Sequence, residues 1–467
     1  MQNLSKKIFP ALVTVSLFFA ACKKNNDTLA PKPPADTVRT PVSTANPQLI
    51  KDSVLIYSKD IYLWNTQIPA TFNPQAYTDP PAVMTAIRAY SMEPGFSGAV
   101  DRWSFAIKKT EWDQMSAGMG SINTPSTEGD FGFSVFFNVE GDLRVRLVEP
   151  NAPAGLAGIH RSWRITAING NTNMTTSNAD FIVNAVYYGT TGSFTFLKPD
   201  GNTVSINLNA AHYTEKPVYL DTVYNIGSKK IGYLVFNSFL GKVADISAEF
   251  QRVFNHFASE QVTNVVVDLR YNGGGFVSLA EKLGNYLVNS SANGGLMMKQ
   301  IYNSQNSQNN ETTNFKKAGS VNLNEIYFIV GRGTASASEL LINNLKPYLT
   351  VKLIGPSPTH GKPVGFFPIP VGEWYIFPVS FRTTNKNGEG NYFNGMPVNA
   401  QVRDGLDKDW GDVNEADLAS AIKNITTGNY LQANTESFAR ESAGVSLGNK
   451  KLDAPALKIT VDTRKNF

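Results

Sequence analysis

The hydrophobic and polar positions of the chain follow three successive patterns after a polar N-terminal stretch. Within 48–127 apolar residues recur at helical spacing, and within 128–212 they alternate with polar residues in short runs typical of half-buried strands. Within 213–430 β-branched runs alternate with helical stretches, which favours a mainly parallel sheet with crossover helices. We therefore predict a multidomain α/β protein with an N-terminal helical domain, a β domain and a mixed α/β core, followed by a C-terminal tail at 431–467.

The N-terminal stretch has the features of a targeting segment followed by a tether. Residues 1–21 contain two lysines and then an apolar stretch that is too short to span a bilayer, as in a signal peptide. The segment Phe19–Cys22 resembles a bacterial lipobox, which implies that Cys22 is lipidated and anchors the chain to the outer membrane, on its periplasmic or surface face. A cleaved signal peptide with an incidental cysteine is the alternative. Residues 22–47 are polar and proline-rich, which is typical of an extended tether.

Composition and charge narrow the classes of function. The chain of 467 residues is 42% hydrophobic and 17% charged, which is ordinary for globular domains, and its net charge of +4 is small and scattered. Lysines and arginines do not cluster with aromatic residues, so nucleic-acid binding is not expected. The single cysteine excludes a disulfide within one chain, and the four histidines lack metal-ligand spacing, so neither a metal nor another cofactor is predicted.

One serine falls at the turn between a predicted buried strand and a predicted helix. The apolar run Ile326–Val330 indicates the strand, and the apolar positions after Ser336 have helical spacing. Unpaired N–H groups at a helix start can stabilise an oxyanion. A serine hydroxyl needs a base, and Lys362, in a glycine- and proline-rich segment, can act as one if burial lowers its pKa. The alternative is a helix-capping serine and a solvated lysine.

A second stretch strengthens the catalytic interpretation. Residues Asp268–Gly275 follow a β-branched run and have the sequence Asp-Leu-Arg-Tyr-Asn-Gly-Gly-Gly, and Thr334–Glu339 has the sequence Thr-Ala-Ser-Ala-Ser-Glu. In this order, and with Gly361 and Lys362 after them, the two motifs resemble those of the C-terminal processing peptidases. These are serine peptidases of family S41 that use a Ser/Lys dyad. The resemblance therefore implies a serine peptidase core at 213–430.

The resemblance also implies roles for individual residues. By position in the motifs, Ser336 is expected to be the nucleophile and Lys362 the general base. The amides of Gly274 and Ala337 are expected to form the oxyanion hole, and Ser338 is expected to be a helix-start residue without a catalytic role.

Two departures from the family pattern leave the partner of Lys362 open. Many relatives carry an Asp near the position of Pro347, and others carry a Gln at the position of Phe366. His360, two residues before Lys362, is an alternative general base because an imidazole has a pKa close to neutrality.

The β domain resembles a PDZ domain. The segments Pro150–Gly158 and Ile165–Gly170 correspond to two of the stretches that characterise such domains. The resemblance implies a peptide-binding loop whose amides capture a terminal carboxylate, formed by Phe131, Gly132 and Phe133.

These observations favour a serine endopeptidase of the bacterial cell envelope, anchored by lipid and acting on polypeptide substrates through their C-termini. The alternative is a catalytically inactive PDZ-bearing binding protein of the cell envelope. Asp268 and Arg270 are expected to fix the end of their strand by charge-assisted hydrogen bonds. The Asn-, Ser- and Gln-rich segment 289–315 is expected to be a mobile loop near the site, and the tail suggests no function beyond an edge strand between 452 and 461.

Overall fold

The computed structural model describes residues 46–120, 129–431, 443–452 and 459–464. The helices are α1 Pro47–Ile61, α2 Pro80–Ile87, α3 Lys109–Ser116, α4 Pro153–Leu156, α5 Ala179–Tyr187, α6 Val243–Ser259, α7 Val277–Leu287, α8 Ala337–Leu345, α9 Ala416–Thr427 and α10 Ala443–Leu452. Short 3-10 turns occupy Asn65–Gln67, Pro74–Ala76, Thr176–Asn178, Ser290–Ala292 and Ser304–Asn309. The strands are β1 Phe105–Lys108, β2 Met119–Gly120, β3 Phe133–Val139, β4 Asp142–Val148, β5 Arg164–Ile168, β6 Thr191–Leu197, β7 Thr203–Asn209, β8 Tyr213–Thr214, β9 Val218–Ile226, β10 Lys229–Phe236, β11 Asn264–Asp268, β12 Gly274–Phe276, β13 Leu296–Tyr302, β14 Glu311–Asn314, β15 Glu325–Ile329, β16 Thr350–Gly355, β17 Val364–Gly365, β18 Ile369–Val371, β19 Trp374–Phe377, β20 Phe381–Thr384, β21 Ala400–Gln401 and β22 Ile459–Val461.

The predicted signal peptide at 1–21 and the lipidation site Cys22 lie outside the described residues, as does nearly all of the predicted tether. The described chain begins with α1, whose N-terminus is capped by the Asn46 side chain accepting from the amide of Gln48 at 3.0 Å. Within the described ranges, no helix combines the length and the apolar character that a membrane span requires.

A six-stranded sheet carries the core, in the order β21-β16-β15-β11-β10-β9. All neighbouring pairs are parallel except β10 and β9, which pair antiparallel at one edge. Helices cover both faces of this sheet, and a separate apolar cluster is buried on each face. The predicted fold class, a mixed α/β protein with a mainly parallel sheet, is thereby confirmed.

Among the described residues of the helical domain predicted at 48–127, the buried apolar side chains of the helices belong to the cluster of the core, and the predicted domain boundaries stay a prediction. Residues of α1 and α2 are buried in the same cluster as the helices that cover one face of the core sheet. Strand β1 pairs antiparallel with β19 of the core. Large aromatic residues outside the helices of this region, such as Tyr62 and Trp103, are buried in the same cluster.

A five-stranded antiparallel sheet, β3-β4-β5-β6-β7, lies within the segment for which the β domain is expected. Its apolar face packs with α5 around a separate buried cluster. Helix α10, from the predicted tail, contributes Val445 and Leu452 to this cluster. Strand β3 is an edge strand of the sheet, because its only strand partner in the sheet order is β4.

The segment 289–315 is structured, so the expectation of a mobile loop is corrected. It contains β13 and β14, which pair with each other, and β13 also pairs with β20. Its polar side chains bond to the backbone of other segments: Asn303 Nδ2 donates to the carbonyl oxygens of Asp60 at 2.8 Å and Tyr62 at 3.0 Å. Composition alone did not predict this order, because asparagine side chains can hydrogen-bond to buried backbone groups as readily as to water.

Candidate active site

Ser336 occupies a sharp turn between β15 and α8. Its backbone has φ 65° and ψ −114°, a conformation that costs a non-glycine residue roughly 1–3 kcal/mol and is retained only where the surroundings enforce it. The carbonyl oxygen of Ser336 accepts from the amide of Leu340 at 2.7 Å, so α8 begins directly after the serine. Every residue of α8 is buried, including Glu339 and two asparagines, whereas the apolar spacing alone indicated one buried face.

The structure brings Ser336 and Lys362 into contact. Lys362 Nζ lies 3.4 Å from Ser336 Oγ, and each residue is only 1% exposed. Burial lowers the pKa of Lys362 well below its ordinary value, although the carboxylates of Asp101 and Glu339 act in the opposite direction. A neutral amine at this distance can accept the proton of the serine hydroxyl.

Phe366 stands where the family resemblance would lead us to expect a glutamine in some relatives. Its ring centroid lies 3.8 Å from Lys362 Nζ, and its side chain is fully buried. An aromatic face offers no hydrogen-bond acceptor comparable to a carboxylate or an amide, so it removes water from the amine without strongly binding its charge. Compared with a carboxylate, the ring stabilises the ammonium form of Lys362 less strongly, and burial remains the cause of the lowered pKa.

Glu339 hydrogen-bonds to the backbone amides of both Ser336 and Lys362. Its Oε2 accepts from the amides of Ser336 and Lys362, both at 2.8 Å. Its Oε1 accepts from the Thr359 hydroxyl and from the Gly361 amide, both at 2.6 Å. Burial raises the pKa of Glu339, and these hydrogen bonds oppose that rise. Since four donors converge on the two carboxyl oxygens, the ionised form fits this arrangement and we assign it here.

The glycine-rich loop is tied to the serine turn through Asn272. The carbonyl oxygen of Asn272 accepts from the amide of Ala335 and the hydroxyl of Ser338, both at 3.1 Å. Its side-chain Oδ1 accepts from the amide of Gly274 at 2.9 Å. A side chain at Gly275, which has φ 142°, would place its Cβ only 2.3 Å from the backbone of Phe239. The two sequence motifs therefore meet with backbone in close contact.

The two backbone amides that are expected to form the oxyanion hole differ in whether they already have a hydrogen-bond acceptor. Ala337 is the first residue of α8, so its N–H has no acceptor within the helix and directly follows Ser336. The amide of Gly274 donates to Asn272, so it would have to exchange this partner in order to bind an oxyanion. Their assignment as an oxyanion hole stays a prediction.

His360 is engaged elsewhere. Its Nε2 accepts from the indole Nε1 of Trp103 at 3.1 Å, and its backbone amide donates to the carbonyl oxygen of Thr334 at 2.9 Å. With Nε2 occupied by a donor and Lys362 Nζ in contact with Ser336 Oγ, the geometry favours Lys362 over His360 as the base.

Arg270 fixes the end of β11, as the sequence suggested. It donates to Asp268 at 2.7 Å and to Glu415 at 2.8 Å, and it also pairs with Asp404 at 2.8 Å. Arg161 of the β domain pairs with the same Asp404 and donates to the hydroxyl of the residue after Arg270, Tyr271, at 2.9 Å. This buried network connects the glycine-rich loop to the β domain.

The predicted peptide-binding loop is engaged within the β domain. Phe131 and Phe133 are buried in its core, and the carbonyl oxygen of Phe131 accepts from the amide of Ala154 at 2.9 Å. The amide of Gly132 donates to Asp130 Oδ1 at 2.7 Å. Binding of a terminal carboxylate by this loop stays a prediction.

Thr460 is a site residue that the sequence did not indicate. Its hydroxyl is in hydrogen-bond contact with Ser336 Oγ, and its residue is 3% exposed. It belongs to β22, which pairs in parallel with β12. The pattern of apolar residues between 452 and 461 suggested an edge strand. It did not indicate with which strand this segment would pair.

Comparisons with known proteins find a family match in the central part of the chain. Residues 230–394 match the model of peptidase family S41. The solved structure of a candidate S41 protease from Bacteroides fragilis NCTC 9343 matches with a TM-score of 0.66 and 23% identity, over 80% of this chain and 97% of that one, which shows a shared fold. The photosystem II D1 C-terminal processing protease matches with a TM-score of 0.46 and 17% identity, over 77% of this chain and 93% of that one. No curated protein matches the sequence.

Proposed function

We propose that the protein is a serine endopeptidase with a Ser336/Lys362 dyad, on the premise that residues 230–394 match peptidase family S41. The observation that carries the proposal is the contact of 3.4 Å between Ser336 Oγ and a buried lysine Nζ, at a strained turn that opens a helix. The family match supports a peptidase. The contact adds a candidate nucleophile, the Ser336 hydroxyl, with a candidate base at hydrogen-bond distance.

In the proposed mechanism, neutral Lys362 takes the proton of the Ser336 hydroxyl as Oγ attacks the carbonyl carbon of the scissile bond. The developing oxyanion is stabilised by the amide of Ala337, together with that of Gly274 once it is released from Asn272. Collapse of the tetrahedral intermediate breaks the C–N bond, and the Lys362 ammonium returns its proton to the leaving amine. Water then hydrolyses the acyl-enzyme with Lys362 again acting as base, which restores both groups.

An inactive binding protein is the rival interpretation, and it predicts that Ser336 is not activated. Two features support the enzyme: the pKa of Lys362 is lowered by burial, and Glu339 binds the backbone of both dyad residues. A fluorophosphonate probe separates the two, because only an activated serine is phosphonylated. Labelling that disappears in Ser336→Ala supports the enzyme, and absence of labelling both in the full-length chain and in a chain lacking residues 459–467 contradicts it.

We propose that substrates are selected through a free C-terminus bound by the β domain. A peptide with a free terminal carboxylate should then be cleaved faster than the same peptide amidated, because amidation removes the charge that the loop amides would bind. The measurement is kcat/KM for the matched pair of peptides, with an internal sequence change as the control for general binding. Equal values for the free and amidated forms would contradict this selection.

We further propose that the protein is a lipoprotein of the bacterial cell envelope, held at the outer membrane through Cys22. Stable attachment needs more than one acyl chain, as a bacterial lipoprotein carries. Cys22→Ser should therefore move the protein from the membrane to the soluble fraction or stop its processing. Recovery of the unaltered protein mainly in the soluble fraction would contradict the anchor.

A further inference from the structure

A strand from the end of the chain covers the candidate nucleophile. Strand β22 lies between β12 and the segment that contains Phe366: it pairs with β12, and the carbonyl oxygen of Thr460 accepts from the amide of Phe366 at 3.0 Å. On the same edge of β22, the carbonyl oxygen of Phe366 accepts from the amide of Asp462 at 3.0 Å. The side chain of Thr460 points at Ser336, whose Oγ it contacts.

This arrangement is incompatible with a bound substrate. A peptide carbonyl carbon must come within roughly 3–3.5 Å of the nucleophilic oxygen before it can react. The Thr460 hydroxyl is already in contact with Ser336 Oγ, and both dyad residues are only 1% exposed. A polypeptide can therefore reach Ser336 only after β22 has moved away.

The pairing also uses the edge of β12 beside the dyad. The carbonyl oxygen of Gly274 accepts from the amide of Phe239, and the amide of Phe276 donates to the carbonyl oxygen of Phe239. The N–H and C=O groups of Gly275 therefore face the opposite side, where β22 is paired. An extended substrate that adds to this edge would need the same groups.

A second part of the same tail covers the edge of the β domain. Helix α10 packs beside β3 and α5, and Asn449 uses its side-chain amide to bond the backbone of Phe137, with Oδ1 accepting at 2.8 Å and Nδ2 donating at 3.0 Å. These are the backbone groups that an added peptide strand would occupy on an edge strand. The Tyr187 hydroxyl donates to the carbonyl oxygen of Leu452 at 3.0 Å. At Gly448 a side chain would meet Thr176 at 2.8 Å, so the helix approaches closely.

We propose that residues 443–452 and 459–462 together are an intramolecular ligand that closes the peptidase site until a polypeptide substrate displaces it. The proposal rests on the proposed function of Ser336 and adds its regulation. One substrate chain that binds the edge of β3 and the edge of β12 competes with α10 and β22 at the two places. The competing arrangement is a permanent strand, in which Thr460 orients Ser336 during catalysis, and the experiment below separates the two.

The test is a deletion of residues 459–467, which removes β22 and keeps α10. A matched deletion of 465–467 keeps β22 and serves as the control. If the site is open in fewer than about one molecule in ten, the longer deletion should raise the labelling rate of Ser336 and kcat/KM for an unstructured peptide by roughly tenfold or more. The control deletion should behave as the full chain. A synthetic peptide of residues 456–467 added to the longer deletion should restore inhibition competitively.

Unchanged rates, or lost activity in a deletion that keeps its far-UV circular dichroism, would overturn the proposal. If the deletion does not fold, Val461→Asp in the full chain replaces it, because a charge at this fully buried position expels β22. That variant should label faster, and a rate equal to or below that of the full chain would count against the proposal.

A separate measurement distinguishes failure of this inference from failure of the proposed function. Calorimetric binding of the 456–467 peptide to the longer deletion requires no catalysis. If no chain is labelled and the peptide binds, the proposed function fails and the intramolecular ligand stands. If the peptide does not bind, the intramolecular ligand is rejected whatever the labelling shows.

Discussion

Replacing Lys362 with Met is expected to reduce kcat/KM for peptide hydrolysis on the order of 10⁴-fold, about as much as Ser336→Ala. Methionine keeps most of the volume beside Phe366 but has no nitrogen to accept the serine proton, so Ser336 loses its base. Because the two residues act on one proton, the double variant should be little worse than either single one. Steady-state hydrolysis of one fluorogenic peptide by all three variants checks this.

Two matched control variants show whether the loss of activity is specific to Lys362 and Ser336. Lys346→Met changes an exposed lysine at the end of α8 and should leave kcat/KM nearly unchanged. Ser338→Ala removes the hydroxyl that donates to Asn272 and should weaken activity only modestly. An active Lys362→Met protein beside an inactive His360→Ala protein would transfer the role of base to the histidine and keep the serine peptidase.

Glu339→Gln is expected to have the second largest effect, on the order of 10²-fold in kcat/KM, since a displacement of about 1 Å in a reacting group can cost that much. A glutamine amide can accept at only one of its two ends, so its NH₂ group would face donors that now bond to a carboxyl oxygen. Unpaired buried N–H groups cost roughly 1–3 kcal/mol each, so the free energy of unfolding should also fall. Chemical denaturation and steady-state kinetics measure the two effects.

The pH profile separates positioning of the dyad from a general loss of stability. The negative charge of Glu339 raises the pKa of Lys362, against the larger effect of burial. Removing that charge should lower the pKa further and move the alkaline rise in activity to lower pH. Glu325→Gln, on the strand that leads to the serine turn, is the matched control. It should change neither the pKa of Lys362 nor the pH at which activity rises. Activity of Glu339→Gln within about twofold of the unaltered chain would contradict the role given to this residue.

The sequence singled out Ser336 and Lys362, which the structure brings into contact, because each lies in a local motif. Ser336 stands between an apolar run and a helical pattern, and the structure places it at the start of α8 in contact with Lys362. The strand–helix alternation likewise predicted the parallel sheet, since each crossover carries its own local pattern. Strand β11 and the glycines after it were predicted for the same reason.

Features that depend on distant parts of the chain were not predicted. Glu339 was visible only as a motif residue on a helix, and its four donors come from two segments that meet only in the folded chain. The helical spacing of apolar residues correctly predicted helices in the N-terminal region. It did not predict that their apolar faces pack on the core. The position of Thr460 depends on where β22 docks, and three residues of extended chain carry no information about their partner strand.

The measurement that tests the central claim most directly is the pH dependence of the rate at which a fluorophosphonate labels Ser336 in the full-length chain. Burial lowers the pKa of Lys362, so the neutral base accumulates as pH rises through that lowered pKa, well before an ordinary lysine would lose its proton. We predict a rate that rises with pH along a single limb, and the loss of this limb in Lys362→Met. A rate that shows the same pH limb in Lys362→Met, or loses it only in His360→Ala, would contradict the Ser336/Lys362 dyad.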